Sequence, residues 1–184
     1  MKKILIAGAG GQGIISLGKT IAYAAMEEGY NVSCLPSYGP EMRGGAANCS
    51  VIFGGNEITS PIISDADVLL ALNRESLEKF RHRVKPGGCI IADEALLRAA
   101  EIPERPQQNS ASSGINGLFL ALRRTAERLG DIRSLNMVVL GALAKLFSDL
   151  SLRSVTNALS KVFLSRPELA LSSAAAVNAG YSLL

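Results

Sequence analysis

The residues whose types and spacing suit chemistry fall in two short runs: Gly8-Ala9-Gly10-Gly11-Gln12-Gly13, and Pro36-Ser37-Tyr38-Gly39-Pro40-Glu41-Met42-Arg43-Gly44-Gly45. The first places bare backbone N–H groups at the head of a helix, where the helix dipole favours an anion. In the second, Arg43 offers a planar fork for carboxylate or phosphate, Ser37 and Tyr38 offer hydroxyls, and Glu41 can orient the arginine. Pro36, Gly39 and Pro40 stiffen that loop, while Gly44-Gly45 admit a close approach. Together they suggest an anion pocket, but they do not name the anion. A Glu41–Arg43 pair, or a contact with a neighbouring subunit, explains the loop equally well.

Three readings of the glycine turn stand side by side. Gly8-x-Gly10-x-x-Gly13 matches a dinucleotide fingerprint in its strand-turn-helix context, and Gln12 places an amide with open hydrogen-bonding groups at its mouth. Against NAD, the second strand ends Ser33-Cys34-Leu35-Pro36, with no acid to hold a ribose. Gly13 to Thr20 also satisfies the P-loop pattern, with Cys89 to Glu94 as a Walker-B-like strand. A phosphate loop, however, must begin where its strand ends. The strand ends at Ala7, so Ile14, Ile15 and Leu17 belong to a helix facing the sheet, and Lys19 and Thr20 lie within it. In the third reading the glycines only let helix and strand pack closely.

Little else in the chain offers chemistry. His82 lies between Arg81 and Arg83 and reads as a solvated basic helix end, with no triad around it. Asp93 and Glu94 follow a strand at the edge where α/β sheets bind ligands, and form a secondary candidate. Cys34 and Cys49 read as core residues, and Cys34, Cys49 and Cys89 include no Cys-x-x-Cys pair for zinc or a cluster. Single, odd-numbered cysteines fit reduced thiols in a cytoplasm. No catalytic residue and no metal ligand is assigned.

The elements that must position these residues follow from periodicity. With 184 residues, 48% of them hydrophobic, the chain (1–184) reads as one domain with a sizeable core. A net charge of +3 and few aromatics argue against a nucleic-acid partner. The apolar start is too short for a signal h-region and no run approaches a membrane span, so a cytoplasmic location with no membrane partner is expected. Lys3–Ala7, Asn31–Leu35, Ala47–Phe53, Val68–Leu72 and Cys89–Ala92 read as strands, with Glu57–Thr59 as a short hairpin partner. Helices are predicted over 14–28, 75–83, 118–129, 135–147, 152–164 and 168–181, with a turn at Pro86-Gly87-Gly88 and a flexible loop near 101–116. The expected fold class is α/β: a Rossmann-like, doubly wound, mainly parallel sheet with a small antiparallel insertion and a helical C-terminal part.

The two runs together, Gly8-x-Gly10-Gly11-Gln12-Gly13 and the Pro-Ser-Tyr-Gly-Pro-Glu-x-Arg-Gly-Gly loop, closely resemble the gamma subunit of 2-oxoacid:ferredoxin (or flavodoxin) oxidoreductases. Ile58–Pro61 before Asp65-Ala66-Asp67, the Gly87-Gly88 turn, Asn136–Ala142 and Asn178–Tyr181 extend the likeness over nearly the whole chain, the segment from Glu101 to Asn116 excepted. The resemblance implies a non-autonomous oxidoreductase subunit that assists CoA-dependent oxidative decarboxylation of a 2-oxoacid to an acyl-CoA. Alpha and beta subunits would hold thiamine diphosphate, iron–sulfur clusters would lie in partner subunits, a ferredoxin-like delta subunit could join, and ferredoxin or flavodoxin would accept the electrons. It further implies that Gly10, Gly11, Gln12, Gly13, Ser37, Tyr38 and Arg43 contact coenzyme A or the neighbouring subunits. The Ser-Tyr-Gly-Pro-Glu loop is more similar to the 2-oxoglutarate, branched-chain and pyruvate branches than to the indolepyruvate branch, with 2-oxoglutarate favoured. A P-loop-like nucleotide-binding protein and a scaffold that binds no ligand are the alternatives.

Overall fold

The computed structural model describes residues 1–37, 47–97 and 114–184. Their strands are β1 (Lys2–Gly8), β2 (Asn31–Ser37), β3 (Ala47–Gly54), β4 (Ala66–Ala71), β5 (Val84–Asp93) and β6 (Asn116–Leu120). The helices are α1 (Ile14–Glu27), α2 (Arg74–Phe80), α3 (Leu122–Arg128), α4 (Leu135–Leu146), α5 (Leu152–Val162) and α6 (Pro167–Tyr181). One six-stranded sheet has the order β2-β3-β1-β4-β5-β6. β1, β4, β5 and β6 pair in parallel, and β3 runs antiparallel to both β1 and β2. The antiparallel insertion is therefore a whole strand inside the sheet, and it separates β2 from β1.

The inner strands β1, β3 and β4 carry near-continuous buried runs because both of their faces are covered, whereas the edge strand β2 is partly exposed. Ile4, Ile6, Val51, Phe53, Val68, Leu70 and Ile91 join the core under α1, α4, α5 and α6. Leu5, Ala7, Ile52, Leu69, Ala71 and Ile90 face the opposite way, where Phe80 of α2 and Ile63 cover them. α1 ends in a Schellman motif: Tyr30 N–H donates to Ala25 O at 3.0 Å and Gly29 N–H to Met26 O at 3.1 Å, with Gly29 at φ 84°. Asn73 caps α2 through Ser76 N–H at 2.8 Å, and Ser151 caps α5 through Ser154 N–H at 3.0 Å.

α4 is buried from Leu135 to Ala144, as its nearly uniform apolarity requires. Its contact with α6 is backbone on backbone. A Cβ on Gly141 would collide with the Val177 carbonyl and stand 2.6 Å from Tyr181 N, and a Cβ on Gly180 would collide with the Val138 carbonyl. The two glycines thus admit each other's helix.

Several sequence expectations give way here. Glu57–Thr59 forms no strand; β3's partners are β1 and β2, and Asn31 Nδ2 ties the following bend by donating to Gly55 O and Asn56 O at 3.3 Å. β2 runs on through Pro36, which an edge strand tolerates because one side makes no ladder bonds. Pro86-Gly87-Gly88 lies within β5 as a bulge: the register passes from Ala66↔Val84 to Val68↔Cys89. Residues 116–120, read as part of a loop and a helix, form β6, and α3 begins only at Leu122. The rest of the loop predicted near 101–116 lies largely outside the described residues. No described helix is long and apolar enough to cross a membrane.

Candidate functional site

β1 delivers the glycine turn to the C-terminal edge of the sheet, where Leu72 N–H donates to Ala7 O at 2.8 Å and locks β1 to the end of β4. Inside the turn, Gln12 folds back: its Oε1 accepts from Ala9 N–H at 2.7 Å and its Nε2 donates to Leu72 O at 3.2 Å. The amide that the sequence leaves open is therefore engaged at both ends in holding the turn to β4. Gly13 enters α1 at φ 71°, and a Cβ there would collide with the Asn136 amide, whose Nδ2 donates to Gly13 O at 3.2 Å. Asn136, buried on the first turn of α4, also accepts from Met137 N–H at 2.9 Å. By contrast, a Cβ on Gly10 or Gly11 would meet no described atom within 4 Å, although Gly11 at φ 85° takes a backbone conformation that favours glycine. Among the described residues no side chain caps α1, and no acid stands in its first turn, so its leading amides meet no described carboxylate.

Two cavities open on either side of Gly11. The smaller, about 290 Å³, is lined by Gly10, Gly11, Gly13, Ser37, Ala47 and Asn48, among others. The sheet order explains it: β2 runs the same way as β1, so its last residue, Ser37, and the first residues of β3 arrive beside the turn. The structure thus brings Ser37 together with Gly10, Gly11 and Gly13, while Gln12 points away to β4. Tyr38 and Arg43, with Glu41 and the rest of that loop, lie outside the described residues.

The larger cavity, about 450 Å³, was not anticipated. Gly11 and Ser16 form one wall, Arg133, Ser134 and Asn136 a second, and Arg166 and Ser172 at the head of α6 a third. Arg133 Nε donates to Asp131 Oδ1 at 2.9 Å, and its guanidinium holds the exposed Asp131 carboxyl below the ordinary carboxylate range. With Arg166 added, the arginines outnumber the single acid, so the cavity suits an anion. The one sequence signal was the Gly130-Asp131-Ile132-Arg133 turn; nothing local connects it to Gly11.

Other candidates find structural partners. Asp93 is buried, accepting from Ala95 N–H at 2.9 Å and Arg123 N–H at 2.5 Å, and Glu94 pairs with Arg124 at 3.0 Å. Lys19 is exposed on the second turn of α1, and the buried Thr20 hydroxyl donates to Ser16 O at 2.8 Å, so this segment is helix rather than phosphate loop. The dinucleotide reading weakens for a topological reason too, because β3 stands between β1 and the strand that would bring a ribose-binding acid. Among the described residues, no group of three or more His, Cys, Asp or Glu could hold a metal ion.

The family model for pyruvate ferredoxin/flavodoxin oxidoreductase matches residues 3–183. The ketoisovalerate oxidoreductase subunit VorA of Methanothermobacter thermautotrophicus is 35% identical over 144 residues, 78% of this chain, but the chain spans only 28% of that relative's length. The 2-oxoglutarate synthase subunit KorC of the same organism is 34% identical over 160 residues, 86% of this chain and 82% of the relative. Among solved structures, the gamma subunit of a keto/oxoacid ferredoxin oxidoreductase from Geobacter sulfurreducens has TM-score 0.78 at 27% identity, covering 99% of this chain and 97% of that one. A 2-oxoglutarate:ferredoxin oxidoreductase from Magnetococcus marinus, solved with 2-oxoglutarate, coenzyme A and succinyl-CoA, has TM-score 0.81 at 28% identity, covering 99% of this chain and 30% of that one.

Proposed function

The chain belongs to the pyruvate ferredoxin/flavodoxin oxidoreductase family, and from that premise we propose that it is the gamma subunit of a thiamine-diphosphate-dependent 2-oxoacid:ferredoxin oxidoreductase, inactive alone. The observation behind this is span: relatives and a solved gamma subunit of about this length match it nearly end to end. For the 2-oxoacid we favour 2-oxoglutarate: the 2-oxoglutarate synthase subunit KorC is 34% identical over 82% of its own length, whereas the chain spans 28% of the ketoisovalerate subunit. Partner alpha and beta subunits hold thiamine diphosphate, and partner subunits also hold the iron–sulfur clusters. A ferredoxin-like delta subunit is a further candidate partner, and ferredoxin or flavodoxin takes the electrons.

This chain's own task is to receive coenzyme A, whose thiol accepts the acyl group. The residues fit its anionic end: uncapped amides at the head of α1, open space over Gly10 and Gly11, and arginines 133 and 166 across the larger cavity. Gly13 shapes the helix entry and Gln12 holds the turn in place, Ser37 lines the smaller cavity from the end of β2, and Tyr38 and Arg43 are the further residues proposed to contact coenzyme A. None of these residues transfers a proton or an electron; they bind and orient.

The test is a tagged purification from the native cell, followed by CoA-dependent viologen reduction with 2-oxoglutarate, 2-oxoisovalerate and pyruvate. Co-purification of thiamine-binding partners with highest activity on 2-oxoglutarate is the expected result. A lone chain that binds ATP would overturn the proposal, and preference for another 2-oxoacid would overturn the substrate.

A further inference from the structure

Cys34 and Cys49 come from neighbouring strands but are not directly opposite each other. The β2–β3 register pairs Cys34 with Val51 and Pro36 with Cys49, so the two cysteines are diagonal neighbours on one face of the sheet. That face meets α1, and there α1 has a glycine: a Cβ on Gly18 would stand 2.5 Å from the Cys49 sulfur and 3.6 Å from that of Cys34. The two thiols point at each other, with Sγ···Sγ 3.7 Å. Cys49 is fully buried, whereas Cys34 is half-buried on the edge strand.

We propose that Cys34 and Cys49 form a peroxide-responsive dithiol, Cys34 the attacking sulfur and Cys49 the resolving one. It goes beyond the oxidoreductase function and does not depend on it. In the first step the Cys34 thiolate attacks one oxygen of hydrogen peroxide. The O–O bond breaks, hydroxide leaves and takes up the thiol's proton as water, and Cys34 becomes a sulfenic acid. In the second, the Cys49 sulfur attacks the Cys34 sulfur, the S–O bond breaks, and the hydroxyl leaves with the Cys49 proton as water. Two thiols and one peroxide thus become one disulfide and two waters; the sulfurs are oxidised by two electrons and the peroxide oxygens reduced.

The electrostatics agree with this division of labour. The Cys49 S–H bond to Cys34 draws the Cys34 pKa down to about 7 against the opposing effect of burial, with the Lys19 ammonium on α1 assisting. The same bond and burial push Cys49 up. Cys89 on β5 supplies an internal control, because burial alone raises it to about 11. The cross-link would tie β2 to β3 where they lead into and out of residues 38–46, the run that includes Tyr38 and Arg43.

The experiment is equimolar hydrogen peroxide on the reduced full-length chain, followed by alkylation and a non-reducing peptide map. The expected result is a loss of two hydrogens in mass, a Cys34–Cys49 linked peptide, Cys89 still alkylated, and reversal by dithiothreitol. The rate should rise with pH through about 7 and level off above it. Cys49→Ser should stop at a dimedone-reactive sulfenic acid on Cys34, and Cys34→Ser should slow thiol loss about tenfold or more. Over-oxidation of Cys34 without a cross-link, linkage to Cys89, or linkage only between chains would overturn the proposal. The wild-type map decides it even if a variant fails to fold.

Discussion

Two pairs of glycines in this molecule meet opposite surroundings. At the α4–α6 crossing, Gly141 and Gly180 have backbone where a side chain would be, each pressed on the other helix's carbonyl. At the head of α1, Gly10 and Gly11 have open space, and two cavities share the Gly11 edge. The first pair is explained within the chain, since any Cβ would drive the helices apart. In the second pair Gly11, at φ 85°, is required by its own backbone, whereas alanine at Gly10 would serve the fold as well, so the use of Gly10 lies with what approaches from outside. Gly13 belongs to both settings, bonded to Asn136 on one side and bordering the smaller cavity on the other.

Substitutions can test that contrast. Gly141→Ala should be the most damaging, costing about 3 kcal/mol because two helix backbones must separate; urea unfolding of the full chain measures it, and a loss under about 1 kcal/mol would mean the helices slide freely. Gly13→Ala comes next, at about 2 kcal/mol, from its positive φ and its collision with Asn136. Combining it with Asn136→Ala should recover part of that cost, and a double-mutant cycle with no coupling would remove the Asn136 contact from the explanation. Arg133→Ala should leave stability within about 0.5 kcal/mol yet raise the apparent KM for coenzyme A about tenfold in the assembled enzyme, the effect of losing roughly one charged hydrogen bond. An unchanged KM would assign the larger cavity some other role. Gly10→Ala should alter stability least, by under about 0.5 kcal/mol, while still weakening coenzyme A if the space above the turn is occupied; equal binding would reduce Gly10 to a packing residue.

Much of this arrangement was legible in order of chain. The apolar run to Ala7, the glycines, and a helix entered at Ile14 and closed at Gly29 are local signals, and each appears in the structure where the residues placed it. β6 was missed because Leu118, Phe119, Leu120, Leu122 and Ala126 satisfy a helical period as readily as a strand running into a helix, and only pairing with β5 separates the two. The Glu57–Thr59 hairpin failed for the converse reason: β3 was already paired on both edges, leaving no ladder for a further strand.

The sequence by itself determined the family, the alternation of strands and helices, and the turn that presents bare amides at a helix head, because each rests on residues adjacent in the chain. Tertiary structure alone decided that β3 enters between β1 and β2, that Gln12 faces Leu72, that Arg133 and Arg166 share a cavity with Gly11, and that Cys34 meets Cys49. Those outcomes depend on strand register and on helices packing across more than a hundred residues of chain. Neither leaves a mark in the local periodicity of side chains, since a shift of one residue in register would turn the same sequence to the other face.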